Sequence, residues 1–265
     1  MNKKHIYPVL GIFLLMISCK GGDEGTVEFE TVTADKTVKL SNEENSPICT
    51  VHLKMEEATE TCGHAGELIN STVMKRLLDR EEKTLKLAAE AFADTYTESY
   101  KKTMLPLYNE DRADSTKKAW YQYHYIIESS TQSGTKGTVV YIATIDYYEG
   151  GAHGSNQLIT LNFETKTGRQ LMLSDIFATG YEQPLKNILL KALKAKTGCT
   201  TLNALRDKGY LYSMDIFPSE NFILGEETIT FIYNPYEIAP YAMGSTELII
   251  PYSDVDKILK TTFDY

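Results

Sequence analysis

The sequence predicts an α+β protein in which antiparallel sheets pack with helices in two subdomains. Three observations lead to this class. Segments such as 138–148 are rich in branched and aromatic residues, as strands are. Segments such as 184–193 repeat apolar residues every three or four positions, as amphipathic helices do. Strands and helices come in blocks, without the regular strand–helix alternation of a parallel α/β sheet.

The first half of the chain is predicted to hold strands, then helices, then strands again. The predicted strands cover 27–40, 48–55, 120–128 and 138–148, and the predicted helices cover 67–78 and 84–105. The longer helix has an apolar stripe from Leu85 to Tyr100. We expect it to end before Pro106, because proline lacks the N–H that continues a helix.

The second half is predicted to combine short strands with capped helices. The predicted strands cover 158–164, 169–173, 222–224, 228–233 and 248–251. The predicted helices are a short one after Ser174, one from Pro184 to Gly198, one over 201–208 and a last one after Ser253. The turn-rich segment 129–137 indicates a boundary between an N-terminal α+β subdomain over 27–130 and a C-terminal α+β domain over 131–265.

The first residues have the pattern of a bacterial export signal. A basic start precedes the apolar run 6–17, which is shorter than the roughly 20 residues that span a bilayer. Ser18-Cys19 follows and resembles a lipobox. We therefore expect a lipoprotein signal peptide over 1–18, an acylated Cys19 and a tether over 19–26 that resembles those of Bacteroidetes lipoproteins. The alternative is a plain secretory signal with an incidental cysteine.

These features predict a location in the cell envelope. The lipid on Cys19 would anchor the protein to a bacterial membrane, for which we expect the outer membrane, either on its periplasmic or on its surface side. The formal net charge of −9 and the isoelectric point near 5.2 argue against nucleic acid as a partner, because that interaction requires clustered Lys and Arg.

Four residues invite comparison with a metal site: Cys49, His52, Cys62 and His64. Positions 49 and 52 would face opposite sides of a strand, so we predict no metal. In an oxidising envelope, two cysteines that close a short loop usually pair, and we expect a disulfide between Cys49 and Cys62. Zinc and free thiols are the alternatives. Cys199, which follows a helix end, is expected to be a partly buried thiol.

The segment 147–157 reads YYEGGAHGSNQ and holds one histidine, His153, between glycines. The chain has no nucleophile elbow, no HExxH motif and no phosphate-binding glycine loop, and we expect neither catalysis nor a cofactor. A strand connection whose glycines take positive φ is the physical interpretation. The alternative is a cell-wall hydrolase in which His153 works with Asp146 or Glu149.

An ordered series of short strings resembles a known family. The series includes GGAH at 150–153, LSDIF at 173–177 and YEIAPYAMG at 236–244. It is similar to the DUF3298 family, and 27–130 resembles the companion family DUF4163. These domains occur in RsiV-type lysozyme-sensing anti-sigma factors and in PdaC-type peptidoglycan deacetylases. The family often has proline after the histidine, where this chain has Gly154.

The resemblance implies a sensing or binding module. Since five residues precede the apolar run and the chain ends at Tyr265, we expect neither an anti-sigma factor nor a deacetylase. The expected ligand is a lysozyme-like protein or a peptidoglycan-like glycan. The ligand-binding residues that we expect are Tyr148, His153, Tyr236, Pro240 and Tyr241. The alternative is that both segments are turns that define the fold and bury their tyrosines.

The lipid anchor is testable through Cys19. We expect Cys19→Ala to release the protein from the membrane fraction or to block its processing, because the acyl chains would be lost. Membrane fractionation and mass spectrometry of the mature N-terminus measure both effects. Normal membrane partitioning of the variant would contradict the lipoprotein interpretation.

Overall fold

The computed structural model describes residues 26–263 and 265, and it confirms the α+β class. The signal peptide, Cys19 and nearly all of the tether lie outside the described residues. The larger sheet has six strands in sequence order. They are β1 (Phe29–Lys39), β2 (Ile48–Ala58), β3 (Tyr123–Ser133), β4 (Thr138–Tyr148), β5 (Ser155–Glu164) and β6 (Gln170–Leu171).

One strand pair of this sheet is parallel and requires a helical crossover. β2 and β3 run parallel, whereas the other neighbours are antiparallel. Parallel neighbours cannot be joined by a tight turn. The crossover consists of α1 (Gly63–Val73), a π-helical stretch (Met74–Leu78), α2 (Leu85–Asp111) and a 3-10 segment (Ser115–Tyr121). α2 packs on β1 and β2 and covers one face of the sheet.

The second sheet has three antiparallel strands and packs with the remaining helices. The helices before it are α3 (Leu173–Ile176), α4 (Glu182–Thr197) and α5 (Leu202–Asp207). The strands are β7 (Phe222–Leu224), β8 (Thr228–Tyr233) and β9 (Thr246–Pro251), and α6 (Tyr252–Val255) follows. The predicted bounds of β4, β7 and β8 are confirmed. In the described part of the chain, no helix combines the length and the apolarity that crossing a membrane requires.

The two larger hydrophobic cores divide the chain between β5 and β6. Position 130 falls inside β3, so both proposed domains contribute strands to the six-stranded sheet. One hydrophobic core extends to Phe163, at the end of β5, and another begins at Leu171, in β6. Most of the segment 129–137, which was expected to be a turn, belongs to β3, because pairing with β4 continues to Ser133. The turn is therefore confined to the short connection between β3 and β4.

The prediction that Pro106 ends α2 is wrong. The helix continues to Asp111, and Pro106 lies on its exposed side. The missing hydrogen bond costs least there, because water can solvate the freed carbonyl. Beyond the proline, Tyr108 is buried with its ring edge-on to Tyr121, at 5.3 Å between centroids. This tertiary contact holds the last turn in helical form.

The predicted disulfide is also wrong, since Cys49 and Cys62 are free thiols. Cys49 pairs with Val38 at one end of the β1–β2 hairpin, whereas Cys62 follows its other end and accepts the N–H of Glu28. Ala58 lies nine positions after Cys49 along the extended strand, which is about 30 Å at about 3.3 Å per residue. A disulfide allows about 7 Å between Cα atoms. Burial raises the pKa of the Cys49 thiol to about 12.

Asparagine side chains join the two sheets through backbone groups. Asn162 of β5 donates to the carbonyl of Phe222 at 2.7 Å and accepts the N–H of Leu224 at 2.9 Å. Asn221 accepts the N–H of Thr160 at 2.8 Å and donates to the carbonyl of Leu158 at 2.7 Å. Each amide satisfies one donor and one acceptor, so β7 is docked on the face of β5 without strand pairing.

We expect Asn162→Ala to lower the free energy of unfolding by about 1–3 kcal/mol. The side chain is buried, and its loss leaves the Leu224 N–H without a partner, whereas the Phe222 carbonyl keeps the hydrogen bond from the Thr160 hydroxyl at 2.8 Å. Denaturant titration followed by circular dichroism measures the change. Asn156→Ala, at an exposed position of the same strand, is the control and should stay within about 0.5 kcal/mol. Equal stability of the two variants would contradict the role assigned to Asn162.

Candidate functional site

The connection from β4 to β5 depends on glycine. Gly150 and Gly151 have φ of 83° and 92°, as the sequence predicted. A Cβ on Gly150 would lie 2.7 Å from the Trp120 carbonyl oxygen. The Tyr148 hydroxyl donates to the Gly151 carbonyl at 2.9 Å and closes the loop on its own strand. The loop therefore has one defined shape, and it holds His153 in an exposed position.

The connection that follows β8 is anchored on both sides. The Asn234 side chain accepts the Leu158 N–H at 2.8 Å and donates to the Leu158 carbonyl at 3.0 Å. The Glu237 carboxylate accepts the Asn234 N–H at 2.7 Å, and burial raises the pKa of this carboxyl against the effect of that bond. The Ile238 carbonyl accepts the N–H of Leu211 at 2.8 Å. Asn234 thus places this second loop beside the beginning of β5.

Tyr236 lies within this loop in a backbone conformation that is rare for its type. Its φ is 73°, in the left-handed region, where a residue with a large side chain is strained by about 1–3 kcal/mol. Its N–H donates to the Ala239 carbonyl at 2.9 Å, which closes a tight turn. The side chain is 65 % exposed. The surrounding hydrogen bonds therefore hold a strained residue that directs its ring outward.

Three rings from the two loops form one stacked group, which we call the aromatic cluster: His153, Tyr236 and Tyr241. The His153 and Tyr241 rings are 4.1 Å apart between centroids and 17° from parallel. Tyr236 lies 5.8 Å from Tyr241 and 6.4 Å from His153, at 29° and 25°. The cluster is assembled from residues more than eighty positions apart, and His153 and Tyr236 are its exposed members.

The hydrogen bonds of His153 define its tautomer. Its Nδ1 lies 2.8 Å from the Gly154 carbonyl oxygen, which can only accept, so Nδ1 carries the proton. In the neutral ring, Nε2 is then an acceptor, and the Tyr236 hydroxyl donates to it at 3.2 Å. Within the described residues, His153 has no hydrogen bond or ion pair with a carboxylate.

The other two expected residues occupy supporting positions. Tyr148 is not part of the stacked group; its ring lies 6.2 Å from that of His124, and its hydroxyl shapes the 150–154 loop. Pro240 is exposed and begins the 3-10 turn Tyr241–Met243. Its ring atoms lie 3.6 Å from where a Cβ on Gly209 would stand. Pro240 therefore sets the direction of the chain into Tyr241.

The acid that the sequence placed near His153 has another partner. Strand pairing brings Asp146 of β4 beside His124 of β3, and their side chains lie 2.7 Å apart, between Oδ1 and Nε2. Glu149 accepts the Tyr96 hydroxyl at 2.8 Å, and burial together with this bond raises the pKa of Tyr96. Proximity in sequence missed the His124–Asp146 pair, which the register of the β3–β4 hairpin would have indicated.

The four residues weighed as zinc ligands are dispersed. His52 pairs with Asp35 across β1 and β2, and His64 contacts Glu67 on α1 at 3.4 Å. Cys49 lies in a core with tyrosines. Over residues 26–263 and 265, no group of three or more His, Cys, Asp or Glu side chains has an arrangement that could hold a metal ion.

The chain is similar to known proteins in sequence and in fold. A family model described as "Protein of unknown function (DUF3298)" matches residues 174–253. A crystal structure of a DUF3298 family member from Bacteroides fragilis is similar over 90 % of this chain and 95 % of its own, with 32 % identity and a TM-score of 0.82. This chain belongs to the DUF3298 family.

A more distant structure shares the fold alone. A DUF3298 family protein from Pseudomonas aeruginosa PAO1 is 18 % identical, with a TM-score of 0.60 over 90 % of this chain and 96 % of its own. No curated protein matches the chain. The description of the family names no function, and a shared fold does not by itself define one.

The tautomer of His153 is directly measurable. At a pH where the ring is neutral, we expect long-range ¹H–¹⁵N spectra to show the proton on Nδ1, because Gly154 accepts from that atom. Tyr236→Phe removes the donor to Nε2 and should increase the population with the proton on Nε2. A ring that carries its proton on Nε2 in the unsubstituted protein would contradict the described cluster.

Proposed function

We propose that this protein is a lipid-anchored binding or sensing module of the bacterial cell envelope that recognises its ligand without catalysis. The ligand that we propose is a lysozyme-like protein or a peptidoglycan-like glycan, bound at the aromatic cluster. The observation that carries the proposal is the stacking of His153, Tyr236 and Tyr241 at a partly exposed position.

The cluster has the properties of a recognition surface. Tyrosine offers an apolar ring and a polar hydroxyl, and it loses little conformational entropy when it is bound. The Tyr236 hydroxyl is already oriented by His153, and the Tyr241 ring lies against the His153 ring, at 4.1 Å between centroids. A ligand would therefore meet rings that need little reorganisation. The ring of Tyr236 is exposed, so core packing does not require the strained backbone of this residue. Backbone strain of this kind is concentrated at functional sites.

The contacts of His153 support binding over hydrolysis. A histidine that acts as a general base needs one ring nitrogen bonded to an orienting partner and the other ring nitrogen free to accept a proton from the substrate. The Nδ1 of His153 is oriented by a carbonyl, and Nε2 is occupied by the Tyr236 hydroxyl. The carboxylates of Asp146 and Glu149 are bonded to His124 and Tyr96 instead. These contacts favour a structural role for the imidazole, as one face of a stack.

The choice of ligand rests on the resemblance to RsiV-type lysozyme sensors and PdaC-type deacetylases, including the likeness of 27–130 to DUF4163. Proteins of the first class sense lysozyme, and those of the second deacetylate peptidoglycan. Ring faces of the kind found in the cluster suit the C–H face of a sugar and also suit a protein interface, in which tyrosine anchors are enriched. The expected anchor at Cys19 would hold the module at the membrane.

The contribution of the cluster can be tested with Tyr241→Ala. Calorimetry with a lysozyme and, separately, with soluble peptidoglycan fragments should show binding of one ligand, and the variant should weaken it by at least about 1–2 kcal/mol, since an anchor ring is lost. Tyr265→Ala is the matched control. Tyr265 is also an exposed tyrosine, stacked at 4.3 Å on Tyr252, at the opposite end of β8.

The melting temperature of Tyr241→Ala shows whether Tyr241 serves ligand binding or the packing of the fold. If Tyr241→Ala keeps the wild-type melting temperature and the wild-type affinity, the ligand site lies elsewhere. If it unfolds, the cluster serves the fold. Turnover of a glycan or peptide that disappears in His153→Ala would replace the binding proposal with the hydrolase alternative.

A further inference from the structure

The outer edge of the three-stranded sheet is unpaired. β9 pairs with β8, and in the part of the chain that the structure describes no strand pairs with its other edge. An edge strand carries a row of free N–H and C=O groups, and natural proteins usually cover or charge such a row. Here Ile249, in the middle of the strand, is 62 % exposed.

The register shows which backbone groups point outward. Tyr252 donates its N–H to the Glu227 carbonyl, toward β8. In an antiparallel ladder, successive residues point to opposite sides, so Ile250 and Leu248 also bond to β8. The N–H and C=O groups of Glu247 and Ile249 therefore face away from the sheet. Pro251 is the next residue whose backbone faces outward, and as a proline it has no N–H group.

A groove of about 480 Å³ runs along this edge, between β9 and α4. α4 packs Leu185, Leu189 and Leu193 into the core beneath β9. A second stripe of the same helix, Ile188, Ala192 and Ala195, lines the groove. The stripe has the helical spacing of a buried face, but no strand of the described residues lies below it. The two alanines leave room for the side chains of a strand.

We propose that β9 and α4 form a second binding site, which takes an extended peptide segment of a partner protein as a fourth, antiparallel or parallel strand. The peptide would bond to the N–H and C=O groups of Glu247 and Ile249. Its alternate apolar side chains would pack on Ile188, Ala192 and Ala195. This is recognition by strand addition, in which the backbone supplies affinity and pockets select alternate side chains. The site shares no residue with the aromatic cluster.

A second copy of the chain fits the edge less well. Two β9 strands paired antiparallel are related by a two-fold axis perpendicular to the sheet. That axis keeps both α4 helices on the same face. The partner's α4 would then lie over the first β9, where α4 already packs. A peptide strand without an accompanying helix meets no such obstacle.

The experiment uses the mature chain and a phage-displayed library of random twelve-residue peptides. Selection is performed on the unsubstituted protein and, in parallel, on Ala192→Glu, in which a charged side chain fills the groove. Peptides enriched only on the unsubstituted protein are synthesised, and their affinity is measured by calorimetry. We expect apolar residues at alternate positions of these peptides.

Two variants at one position separate backbone from side-chain recognition. Ile249→Pro removes the outward N–H and leaves the bonds to β8 in place, because proline is tolerated on edge strands. Ile249→Ala removes the same exposed side chain and keeps the N–H. We expect Ile249→Pro to weaken peptide binding by about tenfold or more and Ile249→Ala by less than about threefold.

A measurement on the unsubstituted protein does not depend on how the variants fold. Peptides that are N-methylated at alternate positions cannot donate to β9, and one of the two methylation registers should abolish binding. The proposal is overturned if no peptide is enriched over Ala192→Glu, or if neither register of N-methylation weakens binding. It is also overturned if folded Ile249→Pro and Ile249→Ala bind equally well.

Discussion

The structure depends on a small set of asparagine amides that join two sheets without strand pairing. Asn162, Asn221 and Asn234 each satisfy one N–H and one C=O of a neighbouring backbone. An amide side chain carries both a donor and an acceptor, so it can replace a strand neighbour at a single residue. This allows β7 to cross the face of β5 with its outward Phe222 carbonyl and Leu224 N–H both bonded. Removal of one amide therefore affects both hydrophobic cores.

The position of the aromatic cluster follows from this joint. Asn234 bonds to both backbone groups of Leu158, near the start of β5, and the loop that carries His153 ends where β5 begins. The loop of Tyr236 leaves β8 at the same asparagine. The two loops come together because the two sheets are joined at Asn234 and Leu158. The backbone preferences of the loop residues alone would not bring them into contact. The strain of about 1–3 kcal/mol at Tyr236 is offset by these anchors.

The sequence predicted what depends on local pattern. The bounds of β4, β7 and β8, the glycine conformations at 150 and 151 and the αL end of α4 at Gly198 follow from periodicity and from backbone sterics. Predictions that depended on distant neighbours were less successful. α2 continues past Pro106 because Tyr108 packs on Tyr121, and the disulfide is absent because β2 remains extended. Asp146 lies beside His124 through strand register, which proximity in sequence did not indicate.

The two surfaces proposed for binding depend on different parts of the fold. The family match over 174–253 includes α4, β9 and the loop of Tyr236 and Tyr241, but it excludes His153. The groove beside β9 is thus built within one sheet and its helix, whereas the aromatic cluster needs the other sheet to supply a ring. The joint between the sheets is therefore required for the aromatic cluster to form, because it brings the loop of His153 to the loop of the two tyrosines. Substitutions in the β4–β5 loop would therefore change the aromatic cluster without altering the residues that line the groove beside β9.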